Sequence, residues 1–182
     1  MKTTGVLVFL FAAGCGKSNI WIDNPQGFDI SEDLLWNTFY IVESNAIAMY
    51  PEFQDLDVDT LIEERNLTLE LKSEHSRSDW EKDEGIGGWY HHYTNHITIY
   101  VRDEDIPLVN CYSLYRIVAH EFTHFLADEY LHWKGKPHMY PYMFFQWAGY
   151  DHALFELILE SKNEDSVMSM CQSSLSLLQP AE

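Results

Sequence analysis

Apolar residues at helical spacing predict two helices in the first third of the chain. Ser31 is a candidate N-cap because two acidic residues follow it, and apolar positions continue at helical spacing to about Ala48. A short second helix is predicted near residue 61, with Asp59 or Thr60 as its N-cap. The first helix has an apolar face, which indicates packing against the rest of a folded domain.

Alternating apolar and polar positions predict two strands in the middle of the chain. Leucines occupy every second position over residues 67–71, and isoleucine and valine do so over residues 97–101. A period of two is typical of a strand with one buried face. The charged residues 73–88 lie between these strands and are predicted to form a long exposed loop.

Two stronger helical patterns follow the strands. The first extends from about residue 112 to residue 133 and is stopped by Gly135 and Pro137. The second covers residues 150–162, and the serine-rich tail after it has only weak apolar periodicity. A chain of 182 residues is long enough for one domain with a core and short for two. The pattern therefore predicts a single α+β domain with a small mixed sheet, a central helix and a C-terminal helix.

Composition and charge narrow the class of protein. Apolar residues make up 46% of the chain and aromatic residues 15%, which indicates a compact globular protein rather than a disordered one. The 11 basic and 29 acidic residues give a formal net charge of −18. This balance argues against binding of nucleic acid or of an anionic membrane through a basic patch.

The first 14 residues are predicted to be a signal peptide rather than part of the fold. A short positive start is followed by the apolar stretch Gly5–Phe11 and by the small residues of a cleavage region. This stretch is too short for a transmembrane helix, which needs about 20 residues. The residues Ala-Ala-Gly-Cys that end at Cys15 resemble the lipobox of bacterial lipoproteins. The resemblance implies that Cys15 becomes the lipidated first residue of the mature chain.

This resemblance gives an expected domain plan and location. Residues 15–29 are polar and turn-rich and are expected to be a tether, with residues 30–182 as the folded domain. Gly16 is not the aspartate associated with inner-membrane retention, so the outer membrane or cell surface is the expected destination. The N-terminal lipid would be the only contact with the membrane. In an exported protein Cys111 and Cys171 can pair, or they remain as two buried thiols.

The first of the two strong helical patterns carries candidate metal-binding chemistry. His120, Glu121 and His124 form the pattern H-E-x-x-H. Two histidines four positions apart on a helix lie on one face, so their imidazoles can bind a single cation. Glu121 is next to the first histidine and can take a proton from a water on that cation.

From the strand at residues 97–101 onward, the chain resembles the zincin metallopeptidases, whose active-site helix carries this motif. The resemblance implies a zincin-like fold, a bound Zn²⁺ and hydrolysis of peptide bonds. It also implies that the strand His96–Val101 pairs with an extended substrate along the sheet edge. A catalytic zinc normally has three protein ligands and a water, so a third ligand is needed.

His138 is one candidate for the third ligand. It directly precedes Met139-Tyr140-Pro141, which resembles the Met-turn of the metzincin branch. Five extended residues span about 17 Å, so the chain can return from the helix end to the ion. The full metzincin pattern is incomplete, because Ala127 and Tyr130 stand where that branch has glycine and histidine.

Glu156 is the other candidate, at the place where the gluzincin branch takes a glutamate from the next helix. Glu160 follows four residues later, where that branch usually has aspartate. With His152 these acids form a narrow polar stripe, and burying carboxylates without a partner would be costly. His138 is slightly favoured over Glu156, and the residue that is not a ligand can orient a ligand imidazole. His152, Glu160 and Tyr140 are further candidates for orienting a ligand or stabilising an oxyanion.

The remaining histidines are less suited to this ion. His132 would lie about 12 Å from His124 along the same helix, too far to share a cation. His91, His92 and His96 form a second group, but their spacing fits no standard metal site. An aromatic-rich loop beside a strand is the simpler interpretation of that group.

These observations predict a zinc-dependent metallopeptidase at the bacterial cell envelope, acting on a peptide or protein substrate. His120, His124 and a third ligand would hold the ion, and Glu121 would act as general base. The alternative is a non-catalytic lipoprotein that uses a degenerate zincin fold for metal binding or for contacts with a partner.

Overall fold

The computed structural model describes residues 20–49, 53, 55, 57–91, 93–102, 107–133 and 152–178. At 127–133, 152–158, 160 and 176–178 the description covers the backbone alone. The signal peptide, Cys15, His138 and Tyr140 lie outside the described residues. None of the helices in the described part of the chain is long and apolar enough to cross a membrane.

Four strands form one mixed sheet. They are β1 (Trp21–Asp23), β2 (Thr68–Ser73), β3 (Gly88–His91) and β4 (His96–Val101). Their order across the sheet is β1–β2–β4–β3, with β1, β2 and β4 parallel and β3 antiparallel to β4. Strands β2 and β4 confirm the two strands predicted from the alternating pattern. Strand β1 lies in the segment expected to be a tether, so part of that segment belongs to the fold.

Five helices accompany the sheet in the described residues, and the fold is mixed α/β. They are α1 (Glu32–Met49), α2 (Val58–Arg65), α3 (Asp79–Asp83), α4 (Pro107–Trp133) and α5 (His152–Leu178). Helix α1 confirms the first predicted helix. The prediction for the α2 cap was wrong, because the Asp57 carboxylate accepts the backbone N–H groups of Asp59 and Thr60.

Helix α5 is much longer than its sequence pattern predicts. The expected end was near Lys162, but the helix continues to Leu178. Among the α5 side chains that the structure describes, the buried ones recur every four residues, at Leu159, Asn163, Val167 and Cys171. An asparagine and a cysteine occupy two of these four buried positions, which weakens the apolar periodicity although the helix face is continuous.

The core lies between one face of the sheet and helices α1 and α4. Alternate residues of β2 and β4 are buried on this face, as the period of two requires. Helix α4 covers the face with Val118, Phe122 and Phe125, all fully buried. The Phe122 ring centroid is 4.2 Å from that of Phe39 on α1. Each such side chain contributes about 1.5–3 kcal/mol when buried, so this contact holds α4 against α1.

A disulfide joins the beginning of α4 to the second half of α5. It links Cys111 to Cys171, whose Cα atoms are 6.0 Å apart and which are separated by 60 residues. Of the two alternatives for these cysteines, the paired one is therefore observed. Closing a loop of this length removes chain entropy from the unfolded state, which stabilises the fold by about 4 kcal/mol in the simplest model.

The stretch predicted as a long exposed loop is instead an ordered segment beside the sheet. It contains a 3₁₀ turn at Glu74–Ser76 and helix α3, which begins with a capping box between Ser78 and Glu81. One Glu81 oxygen, Oε1, also accepts the Trp89 indole N–H at 2.9 Å and the Tyr100 hydroxyl at 2.7 Å. Glu81 therefore fastens the segment to both β3 and β4.

We predict that Glu81 makes stability depend on acid pH. Hydrogen bonds from Ser78, then from Tyr100 and Trp89, lower the pKa of Glu81 from its ordinary 4.5 to about 2. Because the folded pKa is the lower one, this stabilisation is present above pH 4.5 and is lost as the pH falls towards 2. Glu81→Gln should therefore lower stability at neutral pH and flatten the acid limb of the profile.

The measurement is urea unfolding of both proteins at several pH values between 7 and 2. Glu84→Gln is the matched control, because it removes the same charge from the exposed C-cap position of the same helix. Parallel profiles for wild type and Glu81→Gln would contradict the assignment.

Candidate metal centre

Two histidine side chains of helix α4 meet at the distance that a shared metal ion requires. The Nε2 atoms of His120 and His124 are 3.2 Å apart, and the two half-buried rings are nearly perpendicular. A tetrahedral zinc with bonds of about 2.0–2.1 Å separates its ligand nitrogens by about 3.3 Å. A hydrogen bond between the two nitrogens would fit the same distance. The pair is therefore arranged either to share a proton or to bind one cation.

Glu121 adds a carboxylate to this pair. Its side chain is only 5% exposed, and its ligand atoms lie within 4.8 Å of those of His120 and His124. Burial makes an anionic carboxylate costly unless positive charge or donors compensate it. Two imidazoles and one buried carboxylate thus form a group that can hold a metal ion. This group confirms the sequence prediction that the three residues lie together.

Strand β3 approaches helix α4 closely at this point, and glycine allows it. A Cβ atom at Gly88 would lie 2.8 Å from Ile117 Cγ2, 2.9 Å from the Thr98 carbonyl oxygen and 3.0 Å from Glu121 Cγ. No ordinary side chain fits these distances, so Gly88 is the residue that lets β3 lie against the Glu121 side chain. Sequence reasoning missed this role, although the pair Gly87-Gly88 before an aromatic stretch was a visible signal.

The order of strands corrects the expectation for the sheet edge. Strand β4 pairs with β2 on one side and with β3 on the other, so it is an interior strand. Among the described residues, β3 is the strand at the end of the sheet next to the metal-binding group. Tyr90 of β3 packs edge-on against Phe125 of α4, which keeps β3 on this helix.

Helix α5 runs antiparallel to α4 beside the candidate centre. Cys111 of α4 is bonded to Cys171 of α5, and further along α4 Arg116 pairs with Glu164, Nη1 to Oε1 at 2.8 Å. The residue numbers at these contacts therefore increase along α4 and decrease along α5. This opposite order relates each position of α5 to a level along the axis of α4.

Contacts between short side chains locate the acidic positions of α5. Cys111 lies opposite Cys171, and Thr123 lies opposite Asn163. On this alignment position 160 lies near the level of His124, and position 156 lies about one turn, or about 6 Å, further along α4. The backbone thus brings the acidic positions of α5 to the His124 end of the candidate centre.

The structure gives different outcomes for the other predicted site residues. His138 and Tyr140 lie outside the described residues, and at His152, Glu156 and Glu160 the helix backbone is described. The choice between His138 and Glu156 as third ligand therefore remains a prediction.

The second histidine group lies on the other face of the sheet. His91 and His96 are directly opposite each other on β3 and β4, with ring centroids 5.7 Å apart. The His96 ring contacts the Thr68 hydroxyl at 2.7 Å and the Glu70 carboxylate at 3.3 Å. These contacts belong to a polar outer surface, since alternate residues of the same strands face the core.

Comparisons with known proteins do not assign a family. No protein-family model, no curated protein and no solved structure matches the chain. What can be said of function therefore rests on the motif and on its geometry in the fold.

We predict that Gly88→Ala disturbs both stability and the candidate centre. The added methyl group would meet the Thr98 backbone, which cannot move aside without shifting β4. Overpacking of this kind costs about 1–3 kcal/mol, and it should push β3 away from Glu121. Urea unfolding and zinc titration measure the two effects.

Gly87→Ala is the matched control for this variant. The three atoms nearest to a Cβ there all belong to the Ile117 side chain, with Cδ1 at 2.6 Å, and a side-chain end can rotate away. The control should therefore lose less stability than Gly88→Ala. Equal losses, or wild-type stability in Gly88→Ala, would show that the close approach at Gly88 is unimportant.

Proposed function

We propose that this protein is a zinc-dependent metallopeptidase. The observation that supports the proposal most directly is the distance of 3.2 Å between His120 Nε2 and His124 Nε2, beside the buried Glu121. Zinc accepts imidazole nitrogen and carboxylate oxygen as ligands, so the residues present suit this ion. The finer assignment to a zincin-like fold is part of the same proposal, supported by the motif helix packed on a mixed sheet.

The chemistry follows from the positions of the side chains. When bound, the zinc ion acidifies a water molecule and polarises the scissile carbonyl group. His120 and His124 hold the ion on one side of α4. Glu121, buried beside them, accepts the proton of the attacking water and later delivers it to the leaving amine.

The third ligand in this proposal comes from α5. Position 160 lies near the level of His124 and position 156 about one turn beyond it, which supports a carboxylate of α5 near the ion. From the spacing in the zincin resemblance, we take Glu156 as the ligand and Glu160 as the residue that orients a ligand imidazole. His138 is the competing ligand. A glutamate from a helix that is disulfide-bonded to α4 would be held by a well-anchored element.

Strand β3 takes the substrate-binding role that the sequence resemblance gave to β4. Its residues Gly88–His91 run beside Glu121 at the end of the described sheet. An extended peptide can add to such a strand through backbone hydrogen bonds, which places its carbonyl groups along the metal-binding side of α4. The substrate class is a peptide or protein.

The proposed place of action is the bacterial cell envelope. Cys15 would carry the lipid, and the domain would act at the outer membrane or cell surface. The Cys111–Cys171 disulfide supports an oxidising compartment, where such bonds persist.

We predict that Glu121→Gln separates metal binding from catalysis. Purified wild type should bind about one zinc per chain and cleave peptides from a broad library. Glu121→Gln keeps the shape of the side chain but cannot take the water proton, so it should retain zinc and lose at least about 100-fold in rate. Metal analysis and fluorogenic peptide assays measure the two properties.

His120→Ala is the control that should lose the zinc itself. Zinc bound by wild type without cleavage of any peptide in the library would favour the non-catalytic alternative, a metal-binding or interaction lipoprotein. Wild type that binds no zinc would contradict both metal-based functions.

A second prediction identifies the third ligand. Because loss of a direct ligand weakens zinc far more than loss of an orienting residue, Glu156→Gln should reduce zinc affinity more than Glu160→Gln. His138→Ala should leave affinity close to wild type. Competition with a chromophoric chelator gives the affinities, and the Co²⁺ absorption spectrum reports the number of ligands. The largest loss in His138→Ala would instead assign the ligand to His138.

A further inference from the structure

A chain of buried hydrogen bonds links three helices next to the candidate metal centre. The Asn45 side-chain amide donates to Asn163 Oδ1 at 2.8 Å, and the Asn163 amide donates to Thr123 Oγ1 at 3.4 Å. The Thr123 hydroxyl donates in turn to the Ala119 carbonyl at 2.8 Å. Asn163 and Thr123 are only 3% and 8% exposed, so water cannot easily replace these bonds.

The position of this chain in α4 relates it to the motif. Ala119 and Thr123 each directly precede one of the two histidines, His120 and His124. Asn163 therefore contacts α4 at the height of the metal-binding group, from the helix that carries the acidic positions 156 and 160.

Among the α5 side chains that the structure describes, Asn163 is the one polar residue in the buried stripe. Leu159 and Val167, one turn before and after it, are fully buried apolar residues. Rotation of α5 about its axis would move the Asn163 amide away from Asn45 and Thr123 and leave it buried without these partners. Such a loss of buried hydrogen bonds is unfavourable, so the native alignment is selected over its nearest alternatives.

We propose that Asn163 is a positioning residue for the metal centre, which sets the rotation and tilt of α5 on α4 and so the place of the acidic ligand that α5 supplies. A zinc–oxygen bond is only about 2 Å long, so a small displacement of α5 removes the ligand. The disulfide at Cys171, two turns from Asn163, prevents a shift of α5 by a full turn, so the hydrogen bonds of Asn163 act on the rotation and tilt of α5 beside the histidines. The proposal rests on the proposed zinc site.

The test compares Asn163→Leu with Val167→Ala in the disulfide-bonded protein. Leucine has the branched heavy-atom skeleton of asparagine without its hydrogen-bonding groups, so Asn163→Leu should lose no more stability than Val167→Ala but bind zinc about 10–100-fold more weakly. Val167→Ala leaves a cavity one turn away, so it should be less stable but bind zinc normally. Urea unfolding and zinc competition titrations give this crossed pattern.

A Co²⁺ spectrum adds a readout that stability alone would not change. Asn163→Leu should give a spectrum of lower ligand number, while Val167→Ala keeps that of wild type. If Asn163→Leu does not fold, Thr123→Val removes the same bond from the α4 side and should give the same loss of affinity. Wild-type zinc affinity in a folded Asn163→Leu or Thr123→Val variant would overturn the proposal.

Hydrogen exchange of the metal-free proteins distinguishes failure of this proposal from failure of the zinc site. Asn163→Leu should speed amide exchange around residues 159–167 of α5 by more than its loss of overall stability accounts for. If wild type binds no zinc, the proposed function fails, and this exchange experiment still decides whether Asn163 fixes α5. Unchanged exchange in Asn163→Leu would overturn the positioning role.

Discussion

The packing of helix α4 on the sheet is the constraint on which the rest of the structure depends. Its phenylalanines fill the space between β4 and α1, and this fixes which residues of α4 remain at the other side of the helix. A rotation of α4 by one residue would exchange a buried phenylalanine for a histidine or a glutamate. The apolar core therefore determines the direction of the candidate metal ligands before any ion is bound.

Contacts of two further residues, Gly88 and Glu81, determine which part of the sheet lies beside α4. Gly88 lets strand β3 lie against Glu121, and Glu81 ties the preceding segment to the same strand and to β4. Neither residue belongs to the H-E-x-x-H motif. Both nevertheless decide how close the end of the sheet comes to the motif, because they set the path of β3.

Much of this arrangement was predictable from the sequence, and the failures have physical causes. Period-two leucines and isoleucines gave strands β2 and β4, and the motif residues proved to lie together, because local periodicity determines both. Strand β1 was missed because a three-residue strand has too few positions to show a period. The predicted end of α5 was too early because Asn163 and Cys171 interrupt the apolar pattern. They are buried through a hydrogen bond and a disulfide bond rather than through hydrophobic contacts. The choice between the candidate third ligands depends on how distant segments of the chain lie relative to α4. The pattern of a single sequence does not contain this information.

The Cys111–Cys171 disulfide also determines how the candidate centre is connected along the chain. The bond closes a covalent ring that contains both motif histidines, Glu121 and both candidates for the third ligand, His138 and Glu156. A single backbone cut anywhere between the two cysteines would leave the halves of the centre in one covalent molecule. Proteolysis at such a site would therefore leave a two-chain species that still holds all the candidate metal-binding residues, provided that the disulfide stays oxidised.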